Sequence, residues 1–184
     1  MNRWINLVLY QATWIAAVAG AGHGLWWPGL VVLAAFAMWQ LSVSAWPRAD
    51  AALMLAISAF GFGLDSLFVN YGLMHFATPV PWPGLAPVWM VALWTSFALS
   101  LNHSLAFLHG RPIVAATLGG LGSPFAYWAA AKGWQALTLG DWPLLCLGLV
   151  GAAWIILMPL FARLSLRWRR FDGAPIRAPA RGGI

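Results

Sequence analysis

Apolar residues run along this chain in blocks of about 20, without the one-sided periodicity of helices that face water. A bilayer core of roughly 30 Å takes about 20 helical residues at about 1.5 Å each. Six stretches reach that length, at about 5–26, 28–46, 51–74, 87–108, 112–132 and 142–163. The breaks between them carry turn chemistry: Pro28 after Trp26-Trp27, the short polar turn Pro47-Arg48-Ala49-Asp50, a Pro-rich connector from Pro79 to Pro87, His109-Gly110-Arg111-Pro112, and Gly140-Asp141-Trp142-Pro143. Short links make sequential spans antiparallel neighbours. The pattern predicts an all-α, polytopic integral membrane bundle of six up-down transmembrane helices.

Composition strengthens this picture. The 184 residues are 62% hydrophobic and 8% charged, against about 25% charged in an ordinary soluble domain. One transmembrane domain over 1–163 is expected, followed by a basic, disordered cytoplasmic tail over 164–184. The net charge of +6 does not point to nucleic acid, because six of the ten basic residues lie between Arg163 and Arg181. Such a tail suits anionic headgroups. Arg3, Arg48, Arg111 and that tail fall on one side of the bundle and only Lys132 on the other, which places both termini in the cytoplasm. The first apolar run has the Ala17-Val18-Ala19 pattern of a cleavage site, but it is read as a retained span. Cys146 is the sole cysteine, so no intrachain disulfide or thiolate cluster can form.

Nine of the fourteen Trp residues sit near span ends, as an interfacial aromatic belt requires. Ala12, Ala16, Gly20 and Gly24 recur at four-residue spacing on the first span, and Ala116, Gly120 and Ser123 mark the fifth. Small residues in such stripes allow close helix packing. They leave open a homo-oligomer or a membrane-protein partner.

The candidate chemistry lies in a few polar residues within the spans. Asp65 is the only acid inside a predicted span, and an ionised carboxylate there costs several kcal/mol unless paired or hydrated. Ser96, Ser100 and His103 fall on one stripe of span four with Asn102 beside it. Span five carries Gly119-Gly120-Leu121-Gly122-Ser123-Pro124 and then Tyr127. Its proline frees the Gly120 carbonyl and predicts a kink that lines a cavity or packs against a neighbour. Asp65 and His103 are the candidate acid or base, and Ser96, Asn102, Ser123, Tyr127 and Gln11 the candidate binding residues. Depth along antiparallel spans separates these groups, with Asp65 roughly 4–5 Å outside the midplane and His103 roughly 7–8 Å inside it. Two polar tiers are expected, Asp65 with Ser96, Ser123 or Tyr127, and His103 with Gln11, Ser58 or Asn102. No metal-ligand spacing, P-loop, dinucleotide fingerprint or nucleophile elbow occurs, so no metal or other cofactor is implied.

These motifs extend to a shared pattern: Asn6-x-x-Leu9-Tyr10-Gln11-x-x-Trp14, Gly63-Leu64-Asp65-Ser66-Leu67, Leu85-Ala86-Pro87-x-Trp89, Leu101-Asn102-His103-Ser104-Leu105, Gly110-Arg111-Pro112 and Gly122-Ser123-Pro124-x-x-Tyr127. The chain resembles an uncharacterised family of small bacterial inner-membrane proteins, domain of unknown function 2878. The resemblance spans nearly everything but the tail and implies an inner-membrane location without assigning any catalytic residue. The expectation is a buried polar pocket that binds or modifies a lipid or small amphipathic molecule, with membrane lipids as partners. The alternatives are a small transporter or substrate-binding membrane subunit, and an accessory or scaffold subunit of a larger complex.

Overall fold

The computed structural model describes residues 3–173. It contains six α-helices among those residues: α1 (Arg3–Gly22), α2 (Pro28–Val43), α3 (Pro47–Asn70), α4 (Val88–Leu101), α5 (Pro112–Gly133) and α6 (Pro143–Trp168). Four of them begin with proline, Pro28, Pro47, Pro112 and Pro143, where the missing N–H is not needed and the fixed φ suits a first turn. Two connectors pair as a short antiparallel ribbon, β1 (Met74–Phe76) with β2 (Leu137–Leu139), in the register His75 to Thr138.

Successive helices run between two ends of the bundle. At one end the Thr78 hydroxyl donates to the Ala21 carbonyl at 2.9 Å, and Gly140 N–H to Leu73 O at 2.9 Å. At the other, the Asp172 carboxylate accepts from the N–H groups of Arg48 and Ala49 at 3.1 and 2.9 Å. It thereby caps the first turn of α3 from more than 120 residues away.

The centre of the bundle is α4, where eleven of fourteen residues are buried against α1, α2, α3 and α6. Its aromatic residues form the core. Trp94 stacks on Trp154 with centroids 5.0 Å apart, and Phe97 meets Trp154 edge-on at 5.1 Å. Close helix approach depends on glycine: a Cβ on Gly151 of α6 would sit 3.0 Å from both the Gly120 carbonyl and Pro124 Cγ of α5. The carbonyl freed by Pro124 is therefore covered by the backbone of α6, as protein at membrane depth requires.

Four helices are long and apolar enough to cross a membrane, those starting at Arg3, Pro47, Pro112 and Pro143, while α2 and α4 are shorter. The fourth predicted span, 87–108, is not one helix. It ends at Leu101 and continues as a turn and a single 3₁₀ turn, Ala106–Leu108, where Arg169 donates to the Asn102 carbonyl at 3.2 Å. The third span begins at Pro47 rather than 51, so the expected polar turn is the opening of α3. The last helix passes residue 163 and runs to Trp168, followed by a 3₁₀ segment, Arg169–Asp172. The expected tail boundary at 164 thus moves to the end of that segment, and residues 174–184 lie outside the described ones. The face of α1 that packs is Thr13, Ala17, Gly20 and Ala21, with Gly24 exposed, one position round from the stripe expected through Ala12 and Ala16.

Candidate functional site

Two buried carboxylates organise the interior, each at its own level. Asp65 on α3 is fully buried. One turn earlier, Gly61 presents bare backbone to the face of the Trp94 indole, which fills the space a Cβ would occupy. That placement brings Trp94 Nε1 to Asp65 Oδ2, donating at 2.7 Å, while the Tyr127 hydroxyl of α5 donates to Oδ1 at 2.7 Å. No Lys, Arg or His pairs with Asp65 among the described residues.

The rings that hold Asp65 also line a cavity. It has a volume of about 250 Å³ and lies between Tyr10 and Trp14 of α1, Trp94 and Phe97 of α4, Ser123 and Tyr127 of α5, and Trp154 of α6. α1, α4, α5 and α6 all contribute to its lining. Trp14 closes it toward one end of the bundle through an edge contact with Trp134 at 5.4 Å. Asp65 sits behind this wall, with the Tyr127 and Trp94 rings between it and the cavity.

The second carboxylate is Asp50, buried in the first turn of α3. Its Oδ1 accepts from Asn102 Nδ2 at 2.9 Å, and its Oδ2 accepts from the Ser44 hydroxyl at 2.6 Å and meets His103 Nε2 at 2.7 Å. The Arg169 guanidinium completes the cluster by donating from Nε to Asn102 Oδ1 at 3.0 Å and stacking 3.8 Å over the Trp46 ring. His103 Nδ1 and the Ser104 hydroxyl are buried without a partner among the described residues, and His103 does not line the cavity.

His109, in the connector before α5, borders this cluster. The Ser165 hydroxyl donates to the Ala162 carbonyl at 3.0 Å, so it accepts the Nε2–H of His109 at 2.9 Å. The Nδ1 lone pair then faces Arg169 at 3.4 Å. Burial, followed by the adjacent Arg169 charge, pushes the imidazole down to about 4. The unfolded chain takes up the proton first, near 6.5. The contribution of His109 to stability is therefore full above that pH, declines as the pH falls toward 4, and levels off below. Melting curves of wild type and His109→Gln between pH 7.5 and 4 should converge as the pH drops; parallel curves would contradict this.

The structure thus separates the expected site residues. Tyr127 holds Asp65. Ser123 lines the cavity without bonding the acid, and Ser96 donates to the Leu93 carbonyl of its own helix at 2.9 Å. His103 and Asn102 belong to Asp50. Gln11 is exposed and touches neither carboxylate, and Ser58 pairs with Thr95 at 2.6 Å, so the tier expected around His103 is corrected to Asp50, Asn102 and Ser44. Trp94, Asp50 and Arg169 were missed. The only signal for Trp94 was Gly61 one turn before Asp65, which leaves room for a flat ring. No group of three or more His, Cys, Asp or Glu suited to a metal ion occurs among the described residues.

Six helices, four of them long and apolar enough to cross a bilayer, fit a helical membrane protein. The chain belongs to the family described as protein of unknown function (DUF2878), whose model matches residues 3–160. That match includes both carboxylates and every cavity-lining residue. No curated protein and no solved structure matches the chain.

Proposed function

We propose that the chain is a multi-pass bacterial inner-membrane protein whose aromatic cleft binds a membrane lipid or another small amphipathic molecule. The observation that carries this reading is a single cavity lined by rings from α1, α4, α5 and α6, with a buried carboxylate directly behind two of those rings. Ligand sites are typically concave and mostly apolar, with a few placed polar groups that orient the guest. The cleft has this balance, since Ser123 is set among Trp, Phe, Leu and Met side chains. Its position between α1 and α5 suits a molecule that arrives from within the bilayer.

In this reading all six helices cross, with both termini cytoplasmic. The short α4 is compatible with crossing because protein surrounds it, so it need not match the thickness of lipid. A cysteine replacing Pro83 should react with an impermeant maleimide from the outer face of oriented vesicles. Reaction from the cytoplasmic face would reverse the topology.

Ser123→Trp fills the cleft from α5 and tests the binding itself. Native mass spectrometry of the full chain, released from mild detergent, should find one retained amphiphile on wild type and none on the variant. Wild type without an adduct, or equal retention by both, would overturn the reading.

A further inference from the structure

The two buried acids differ in one respect. Asp50 has the Arg169 guanidinium in its cluster, anchored on Asn102, and His103 at 2.7 Å. Asp65 has two neutral donors. Trp94 Nε1–H and Tyr127 O–H satisfy its oxygens geometrically but bring no positive charge. The groups facing it are Trp94 on α4, Tyr127 on α5 and Cys146 on α6, and none of these is a cation. Burying a carboxylate without a countercharge is costly. The space beyond Tyr127 and Trp94 is the cleft, lined mostly by aromatic side chains.

A space lined by several aromatic rings can attract a cation. Trp, Tyr and Phe rings carry negative charge on their faces, and several enclosing one space form the kind of cage that recognises quaternary ammonium groups. Hydrogen bonding from Tyr127 and Trp94 to a carboxylate pushes electron density into these two rings and deepens that attraction. A negative charge on Asp65 would thus reach the cleft through the rings that hide it.

We propose that the ligand of the cleft is an amphipathic organic cation, such as a quaternary ammonium or protonated amine on an apolar chain, with Asp65 as its counterion. The proposal rests on the reading of the cleft as a ligand site and adds the charge of the guest.

The test compares two probes of equal chain length, octyltrimethylammonium and octanol, titrated onto the full chain in vesicles of uncharged digalactosyldiacylglycerol with saturable tryptophan fluorescence as readout. Wild type should bind the cation at least about tenfold more tightly than the alcohol. Asp65→Asn should bring the ratio of affinities to about one, and Asp65→Glu, which keeps the charge, should retain the preference. Equal affinity of wild type for both probes, or a ratio that survives Asp65→Asn, would overturn the cationic assignment and leave the cleft reading standing. Should Asp65→Asn fail to fold, the wild-type ratio and the Asp65→Glu ratio still decide. If neither probe binds saturably, or both bind Ser123→Trp as well as wild type, the cleft reading itself fails.

Discussion

Asp50→Ala should cost about 3–5 kcal/mol of stability, the scale for breaking a buried charge pair by removing one partner. Three side chains direct polar atoms at this carboxylate, Ser44, Asn102 and His103. Asn102 in turn anchors Arg169, whose guanidinium lies on Trp46. Removing the acid strands the His103 Nε2 and Asn102 Nδ2 groups in the interior and leaves the Arg169 charge without its anion. In a chain of this size the loss should appear as a fall of more than about 6 °C in the melting temperature of the detergent-solubilised protein. Asp50→Asn should be milder, because one amide oxygen can still accept while the amide nitrogen faces a donor. A melting temperature for Asp50→Ala that matches wild type would show that the cluster contributes nothing to folding.

Gly61→Ala should cost about 1–3 kcal/mol, the range for forcing atoms into a packed core. The added methyl would occupy the position of the Trp94 ring. That ring cannot shift freely, since it stacks on Trp154 at 5.0 Å and bonds Asp65 at 2.7 Å. Displacing it removes one of the two donors to Asp65 and reshapes the cleft, so tryptophan emission should change along with the melting temperature. Gly63 on the same helix is the internal control. A Cβ there meets nothing within 4 Å, and Gly63→Ala should stay within about 0.5 kcal/mol of wild type. Equal effects at the two positions would mean that helix propensity, and not the Trp94 contact, governs α3.

The two substitutions also mark what the sequence could and could not reveal. The helices were legible because the lipid-length apolar runs and the prolines at positions 28, 47, 112 and 143 are local signals. The end of α4 was not, since Asn102, His103 and Ser104 read as a polar stripe continuing the helix and Leu105 to Leu108 is again apolar. What meets the end of the helix is Arg169, 67 positions away, which donates to the Asn102 carbonyl. Asp50 was hidden for a related reason: beside Pro47 and Arg48 it reads as a wet turn, and its partners Asn102 and His103 come from more than 50 positions away. Gln11 was misplaced because depth along a span carries no information on rotation about its axis: Thr13 and Ala17 face inward and Gln11 outward. Asp65 stood out as a lone intramembrane acid. Its partner Tyr127 was within reach of depth arithmetic, whereas Trp94 required knowing that Gly61 faces α4.

Site-resolved photolabelling most directly tests whether the cleft holds an amphiphile. A diazirine-bearing octyl amphiphile, added to membranes containing the full chain and mapped by peptide mass spectrometry, should label saturably the α1 and α5 segments around Trp14 and Ser123, and Ser123→Trp should abolish that labelling. Labelling that does not saturate, falls instead on outward residues such as Leu55, Leu144 and Ile156, and is unchanged by Ser123→Trp would contradict the account.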